Sequence, residues 1–225
     1  MRLSGFLRLV VILFTLLATW YFTHTYHKRT GKVISLRSFL GSASKTISEK
    51  QSRNKCDNSK KCPEDFFTFK ITSGAANVVG PSICFEDKLI MSGVKNNIGR
   101  GLNIALVDGK TGILKTHKTF DMFSGDINLL MEFLKEIPES ALVLVASFDD
   151  PATKLNPEAR KLLSDLGSAY AAELGFRDSW VFLGAKDIKE KSPFEEYLKN
   201  IPEQNKYEGW PEALKIEGCV PRKMI

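Results

Sequence analysis

The sequence predicts an α+β fold, and three observations support this prediction. The composition, with 43% hydrophobic and 26% charged residues over 225 positions, is that of a globular protein. Extended apolar runs separated by turn residues dominate the first half of the folded region, which indicates β-strands. Apolar residues at helical spacing, preceded by capping residues, occur in the second half and alternate with further strands.

Five strands are predicted in the first half of the folded region. They cover residues 66–72, 82–86, 88–92, 102–107 and 112–120. The Asp108-Gly109 pair separates the last two of these runs, and an Asp-Gly pair between extended runs is the strongest short signal for a β-hairpin. We therefore expect those two strands to pair.

The run Gly99-Arg100-Gly101 raises the alternative of a phosphate-binding loop. A dinucleotide-binding loop follows a strand and opens a helix, whereas Gly101 leads into the strand 102–107, and the third glycine of that motif is absent. We therefore expect both glycines in a turn or bulge at a sheet edge. Arg100 stays a candidate surface contact for an anion, and no nucleotide cofactor is expected.

Two helices and two strands are predicted in the second half of the chain. Ser124 is the expected N-cap of a helix over residues 124–137, and Asn156, which is followed by proline, is the expected N-cap of the next helix. Residues 142–148 are a continuous apolar run, which predicts a strand buried on both faces. Residues 179–186 predict another strand.

The C-terminal part of the chain gives one more helix signal and one loop. The segment 192–195, with sequence SPFE, has the pattern of a capping box with proline at the first helical position, so a helix is expected there. Residues 205–221 are expected to form an aromatic loop that leads to Cys219.

A secretory signal peptide is predicted over residues 1–25. Arg2 and Arg8 precede an apolar run of 14 residues, Leu9–Phe22, which is the layout of such a signal. Roughly 20 apolar residues are needed to cross a bilayer, so no stable membrane span is expected. An uncleaved membrane anchor in the secretory pathway stays the alternative.

The rest of the chain is predicted to divide at residue 55. Residues 26–55 are basic and serine-rich and cannot bury enough apolar surface to offset their ordering entropy, so we expect a flexible stalk or pro-region. Residues 56–225 are expected to form a single globular domain. With the predicted signal peptide, this organisation indicates a secreted, extracellular protein.

The net charge of +6 is concentrated at the N-terminus. Residues 1–55 contain ten basic residues and one acidic residue, whereas the remaining residues contain 22 basic and 25 acidic residues, so their net charge is −3. A nucleic-acid-binding surface needs clustered cations on the fold itself. A nucleic-acid partner is therefore not expected.

Four cysteines, Cys56, Cys62, Cys84 and Cys219, predict a disulfide framework. An even count in an exported chain favours two disulfides, and the residues alone leave three connectivities open. A metal site is not expected, because no Cys-x-x-Cys pair occurs and His117 is the only histidine after the first 27 residues. The shortage of bases also argues against nucleophilic catalysis, so we expect no catalytic residues, no enzyme activity and no cofactor.

Asp149 and Asp150, at the end of the predicted buried strand, are the main candidate ligand contacts. Adjacent strand residues point to opposite faces, so these carboxylates would not share a metal ion without a turn. The Asp-Asp-Pro sequence favours a turn in which the carboxylates accept backbone N–H groups, and a ligand contact together with Lys154 is the alternative. Trp210 is a candidate to stack on a sugar or anchor a partner, or else to pack the C-terminal tail onto the core.

Six sequence runs after Cys56 carry a resemblance to a known family. They are SGAANVVGPSICFEDKLIMSGVKNNIGRGLNIALVDGKTG, FDMFSGD, SFDDPATKLN, LGFRDSWVFLGAK, KSPFEEYLKN and NKYEGWPE, and they cover nearly all of residues 56–221. In these runs the chain resembles the ILEI/PANDER family of small secreted cytokine-like proteins. The resemblance implies two packed, mainly antiparallel β-sheets flanked by short helices, and a fold that does not bind nucleotides.

The resemblance also implies a disulfide pairing and a function. The implied disulfides are Cys56–Cys84 and Cys62–Cys219. Some relatives carry an extra cysteine where this chain has Leu183, so a covalent dimer through that position is not expected and we expect a monomer. The implied function is that of a cytokine-like or hormone-like signalling protein that acts through a cell-surface receptor, in metabolic or epithelial regulation.

A carbohydrate-binding module without catalytic activity is the alternative function. Similar domains occur inside glycan-processing proteins, so the resemblance is compatible with a glycan partner. Under this alternative Asp149, Asp150 and Trp210 would line a sugar-binding site.

Overall fold

The computed structural model describes residues 3–30, 53–186, 188 and 190–222. The chain divides into two compact units, Met1–Gln51 and Ser52–Ile225, and the first contains helix α1 (Leu3–Thr30). No helix within the described ranges is both long enough and apolar enough to cross a membrane. The signal peptide over residues 1–25 stays a prediction. The stalk over residues 26–55 also stays a prediction, because most of it lies outside the described residues.

The second unit is built on two antiparallel sheets. Four strands form the first sheet: β1 (Phe66–Thr72), β2 (Ser82–Phe85), β3 (Lys88–Met91) and β9 (Lys215–Pro221). Their order across the sheet is β3-β2-β1-β9, and each neighbouring pair is antiparallel. The chain enters this sheet through a short 3₁₀ turn at Lys55–Asp57.

Five strands form the second sheet: β4 (Gly101–Asp108), β5 (Leu114–Phe120), β6 (Ala141–Phe148), β7 (Ser179–Ala185) and β8 (Glu195–Leu198). Their order is β5-β4-β6-β7-β8, again with antiparallel neighbours. Two short helices, α2 (Ile127–Lys135) and α3 (Pro157–Asp165), pack on this sheet.

The second sheet is covered on both faces, because alternate residues of its strands enter two different apolar layers. In β6, Leu142 and Leu144 join the layer between the two sheets. Val143 and Val145 join the layer between the second sheet and the helices. This arrangement confirms the fold class of two packed, mainly antiparallel sheets flanked by short helices, and it explains why the run 142–148 is continuously apolar.

The local predictions made from apolar patterns and turn residues are largely confirmed. All five strands expected in the first half are present, and β4 and β5 pair as the predicted hairpin. The run 179–186 forms β7. The carboxamide of Asn156 caps α3 by accepting a hydrogen bond from the Ala159 N–H at 2.8 Å.

The predicted N-cap at Ser124 is wrong. Helix α2 begins at Ile127 and is capped by Asp126, whose carboxylate accepts a hydrogen bond from the Asn128 N–H at 2.9 Å. Ser124 instead donates its hydroxyl to the carboxylate of Asp121 at 2.7 Å. Serine and aspartate are both good N-cap residues. The local sequence does not show that the hydroxyl of Ser124 is bound to the carboxylate of Asp121 and that Asp126 is the cap.

The helix predicted from the segment 192–195 is also absent. The Ser192 hydroxyl donates to the Leu183 carbonyl, and the Glu195 carboxylate accepts a hydrogen bond from the Trp180 indole N–H at 2.7 Å. Because both capping side chains bind other elements, the backbone continues into β8 rather than into a helix.

The expected C-terminal loop ends in a strand. Residues 215–221 form β9, which pairs with β1 along its whole length, from Phe66 opposite Pro221 to Thr72 opposite Lys215. Gly218 and Pro221 disfavour a strand in the local sequence. The pairing partner lies about 150 positions earlier in the chain, so no local pattern indicates it.

Gly101, the second glycine of the Gly-Arg-Gly run, begins an inner strand and does not lie at a sheet edge as expected. Gly101 is the first residue of β4, which lies between β5 and β6 in the second sheet. Its φ of +98° is in the region that favours glycine. A strand, and not a helix, follows the run, so the reading against a phosphate-binding loop is supported by the geometry.

Both disulfides implied by the family resemblance are present. Cys56–Cys84 ties the segment before β1 to β2, and Cys62–Cys219 ties the same segment to β9. The second bridge therefore joins the beginning of the described fold to its last strand.

Candidate functional site

Loops from both sheets meet at one end of the molecule. In an antiparallel sheet the start of one strand lies beside the end of its neighbour. Arg100, just before β4, therefore reaches Asp121, just after β5. Asp149, just after β6, reaches Trp210, which lies in the loop before β9.

Asp149 and Trp210, which the sequence indicated separately as candidate ligand contacts, are in direct contact with each other. The indole N–H of Trp210 donates a hydrogen bond to the Asp149 carboxylate, with 3.0 Å between Nε1 and Oδ1. Asp149 has a φ of +59°, a left-handed conformation that aspartate adopts more readily than most residues. The backbone of Trp210 bridges to Tyr207, which closes the turn that presents the indole.

Arg177 completes this group, which we call the Asp149 cluster (Asp149, Trp210, Arg177 and Phe176). The guanidinium carbon of Arg177 lies 3.9 Å from the centroid of the Trp210 ring and 4.7 Å from that of Phe176. Its Nε atom is buried and has no hydrogen-bond partner. Gly209 permits the approach, because a Cβ at that position would lie 2.9 Å from Arg177 Nη1.

Asp150 and Lys154 lie outside the Asp149 cluster. Asp150 is 1% exposed, and its Oδ1 accepts hydrogen bonds from the Ala152 and Thr153 N–H groups at 3.0 and 3.2 Å. This is the turn role that the Asp-Asp-Pro sequence favours. Its Oδ2 atom is buried without a partner. Lys154 is exposed, and its backbone N–H bonds the Met122 carbonyl at 2.8 Å.

Arg100 is held by a carboxylate of the protein itself. Its guanidinium makes two hydrogen bonds to Asp121, Nε to Oδ1 at 3.2 Å and Nη2 to Oδ2 at 2.8 Å. It also lies over the Phe123 ring, at 4.6 Å. The hydrogen bonds from Arg100 hold the pKa of Asp121 well below its ordinary value, and those to Asp121 raise the pKa of Arg100. The anion that Arg100 binds in this structure is therefore Asp121.

An open depression lies between Arg100 and Asp149, the one member of the Asp149 cluster in its lining. Its volume is about 540 Å³, and its lining includes Asn77, Arg100, Asp121, Phe148 and Asp149. The lining offers two carboxylates, a carboxamide and a guanidinium beside an aromatic ring. Such groups can hydrogen-bond hydroxyl or amide groups and stack on a flat apolar face.

Metal ligation and acid–base chemistry need grouped carboxylate, thiol or imidazole side chains. The described ranges contain no group of three His, Cys, Asp or Glu side chains placed to hold a metal ion. His117 lies exposed on β5. The hydrogen-bonding groups, aromatic rings and charges of the Asp149 cluster and of the depression are suited to recognition of a partner.

Sequence reasoning missed Arg177, Phe176 and Asp121 as members of this end of the molecule. Asp149 and Trp210 stand out by residue type and position, but their contact joins residues 61 positions apart. Arg177 lies in the LGFRDSW run. Its position between an aromatic residue and a predicted strand is the one feature of the sequence that could have indicated it as a site residue.

Comparison with known proteins identifies the family of the chain. The family described as "Interleukin-like EMT inducer" (ILEI) matches residues 100–188. The chain is 59% identical to Protein FAM3D of Mus musculus over 225 residues, all of both chains, and 60% identical to Protein FAM3D of Homo sapiens over 223 residues, 99% of both. It is 64% identical to Protein FAM3C of Danio rerio over 171 residues, 76% of this chain and 75% of that protein. The chain therefore belongs to the ILEI/PANDER family, together with the FAM3 proteins.

Proposed function

We propose that this chain is a secreted, cytokine-like signalling protein that acts as a monomer through a cell-surface receptor, in metabolic or epithelial regulation and without catalytic activity. The observation that carries the proposal is similarity over the full chain to FAM3 proteins, with an ILEI match over residues 100–188, which include four of the five strands of the second sheet. The recognition chemistry at the end of the sheets is in keeping with it.

Two disulfides support the extracellular part of the proposal. Disulfides persist in oxidising compartments and are rare in the cytosol, and this fold carries Cys56–Cys84 and Cys62–Cys219. With the basic and apolar layout of residues 1–25, this favours export followed by removal of the signal peptide. N-terminal sequencing of protein collected from culture medium tests this: it should begin near residue 26, and intact N-termini confined to membranes would contradict it.

A cell response that depends on the folded protein tests the signalling proposal. Purified protein from medium is applied to epithelial and hepatic cells, and the phosphoproteome is compared with that after addition of the same protein reduced and alkylated. Brief trypsin treatment of the cells before exposure should abolish the response. A response that survives trypsin, or that the reduced protein also produces, would contradict a receptor-mediated action.

A second candidate function, carbohydrate binding, is favoured by the Asp149 cluster. An indole beside a carboxylate and a guanidinium provides a stacking surface together with acceptors and donors for hydroxyl groups. Among the residues that the structure describes, the buried Nε of Arg177 and Oδ2 of Asp150 have no hydrogen-bond partner, and buried polar groups are normally hydrogen-bonded. Under this candidate Asp149 and Trp210 contact the sugar, and the exposed Lys154 contributes from the rim. Asp150, which is 1% exposed, supports the site by holding the turn that follows Asp149.

Titration with a panel of neutral oligosaccharides tests the second candidate. Trp210→Phe keeps an aromatic face but removes the N–H donor to Asp149, and Asp149→Asn removes the charge while tolerating the left-handed conformation. Both should weaken binding by about tenfold, since one hydrogen bond to a charged group contributes about 1.5–3 kcal/mol. Lys154→Gln measures the contribution of the lysine. Unchanged affinity in all three variants would exclude this site.

A further inference from the structure

We propose that a cationic pocket at the entrance to the fold binds the sulfate groups of an extracellular sulfated polysaccharide. The pocket has a volume of about 320 Å³, and its lining includes Arg53, Asn54, Lys55, Lys60 and Lys61. It lies beside the Cys62–Cys219 bridge and is formed by residues other than those of the Asp149 cluster. This inference rests on the proposed secretion of the chain, because such polysaccharides are met outside the cell.

Two of the four cations in the pocket are free to bind an external anion. Lys60 and Lys61 are exposed, and neither has a carboxylate within ion-pair distance among the residues that the structure describes. Arg53 contacts Asp57 and Asp87, but its side chain is 63% exposed. Exposed ion pairs of this kind contribute about 0–1 kcal/mol, so a sulfate can compete for the guanidinium.

The segment that carries these cations is fixed on the first sheet. The disulfides from Cys56 and Cys62 anchor it at two points. Between them, the side chain of Asn58 donates to the Phe69 carbonyl at 3.0 Å, and the Ser59 N–H donates to the Glu217 carboxylate at 2.9 Å. A preorganised set of cations loses little conformational entropy when it binds an anion.

The charge distribution of the chain points a polyanion to this pocket. The pocket lining carries four Lys or Arg residues and one acidic residue, Glu64, whereas residues 56–225 have a net charge of −3. Oppositely charged partners are steered to the region of highest local potential.

Sulfated polysaccharide fits the pocket better than nucleic acid does. Lys and Arg donors pair with sulfate oxygens by charge-assisted hydrogen bonds. Single-stranded nucleic acid is bound through aromatic side chains that stack on bases in addition to cations. The pocket lining contains neither Trp nor Tyr, and its one aromatic residue, Phe66, is half-buried.

Salt-dependent binding to heparin tests the proposal without cells or receptor. The full chain as secreted is compared with Lys60→Gln/Lys61→Gln and with Lys95→Gln/Lys199→Gln, which removes the same charge from two other exposed loops. The unmodified protein should bind immobilised heparin at about 0.15 M salt, the physiological ionic strength. The plot of log Kd against log salt concentration should lose a slope of about two in the pocket variant and remain unchanged in the control.

Three results would overturn the proposal. They are no retention of the unmodified protein, equal loss in the two double variants, or equally effective competition by desulfated heparin or by duplex DNA. Because both substituted lysines are exposed, the pocket variant should keep the unfolding midpoint of the parent. If the unmodified protein evokes the cell response but does not bind heparin, this inference fails and the signalling proposal stands. If it binds heparin but evokes no cell response, the signalling proposal fails and this inference stands.

Discussion

Gly101 is a glycine for a structural reason, because no side chain fits at its position. A Cβ at this position would lie 2.0 Å from the Phe120 carbonyl oxygen and 2.6 Å from the Met122 nitrogen. These are backbone atoms of the last residue of β5 and of the chain just after it, and Phe120 is paired with Leu102 of β4, so they cannot move away without disturbing that pairing. Gly101 is therefore required by the close approach of two strands, and its φ of +98° adds to that requirement.

Gly101→Ala should lower the free energy of unfolding by about 3 kcal/mol or more, since it combines strain with a backbone clash. Gly99→Ala is the matched control, because a Cβ there would meet only the Thr119 side chain, at 3.3 Å. It should cost about 1 kcal/mol or less. Urea denaturation measures the free energy of unfolding of both variants. Equal losses would show that the close backbone contact at Gly101 does not destabilise the alanine variant.

Glu217 links the N-terminal segment to the first sheet and titrates far from its usual range. The hydrogen bond from the Ser59 backbone N–H, followed by the contacts with Lys70, lowers the pKa of Glu217 from 4.5 to about 2. The side chain is 17% exposed and lies 3.2 Å from Lys70 Nζ. Because the folded protein favours the charged form, Glu217 stabilises the fold above pH 4.5, and this contribution is lost as the pH falls towards 2.

Glu217→Gln should therefore reduce stability at neutral pH, and its difference from the parent should shrink between pH 4.5 and pH 2. Urea midpoints measured across this interval test the expectation. Glu208→Gln, at an exposed position, serves as the control and should follow the parent. A constant difference between Glu217→Gln and the parent at every pH would contradict the assignment.

At the scale of elements, local patterns predicted most of the strands and helices and the short-range β4–β5 pairing, but not the pairings between distant segments. The Asp108-Gly109 hairpin and the Asn156 cap involve residues within a few positions of each other, so the sequence contains their complete signal. Strand β9 depends on a partner at the other end of the chain, and β8 arises because Glu195 binds a different element. The contact of Asp149 with Trp210 is non-local in the same way, so the sequence indicated both residues but not the cluster.

Glu195 is expected to act as a polar bridge between β8 and the neighbouring loop. Its carboxylate accepts hydrogen bonds from the Ser168 hydroxyl, the Ala169 N–H at 2.6 Å and the Trp180 indole at 2.7 Å. Glu195→Gln places an amide NH₂ among these donors and should lower the free energy of unfolding by about 1–3 kcal/mol. Glu196→Gln, exposed on the same strand, should change it by less than about 0.5 kcal/mol. Equal changes in the free energy of unfolding for Glu195→Gln and Glu196→Gln would show that the hydrogen bonds of Glu195 do not stabilise the fold.

For the whole molecule, the two disulfides constrain the unfolded chain to very different extents. Cys62–Cys219 spans 157 positions, and Cys56–Cys84 spans 28. In the chain-entropy description, a bridge of the longer span stabilises the fold by about 5 kcal/mol and one of the shorter span by about 3.5 kcal/mol. The larger value is comparable with the total stability of many domains, about 5–15 kcal/mol.

Cys62→Ser/Cys219→Ser should therefore lower the unfolding midpoint and the secreted yield more than Cys56→Ser/Cys84→Ser. Each double variant removes a different bridge and leaves no unpaired cysteine, so each serves as the control for the other. Chemical denaturation and quantification of protein in medium measure the two effects. The reverse order would show that packing of the segment before β1, and not loop length, determines the contribution of each bridge.

The claim that the chain is a secreted ligand of a cell-surface protein is tested most directly by equilibrium binding to intact cells. Labelled protein purified from medium is titrated on cells, with excess unlabelled protein as competitor and with heparinase treatment to remove sulfated polysaccharide. We predict a saturable, competable component that survives heparinase and is abolished by surface proteolysis. Binding that rises linearly without saturation, or that persists in full after proteolysis, would contradict a protein receptor.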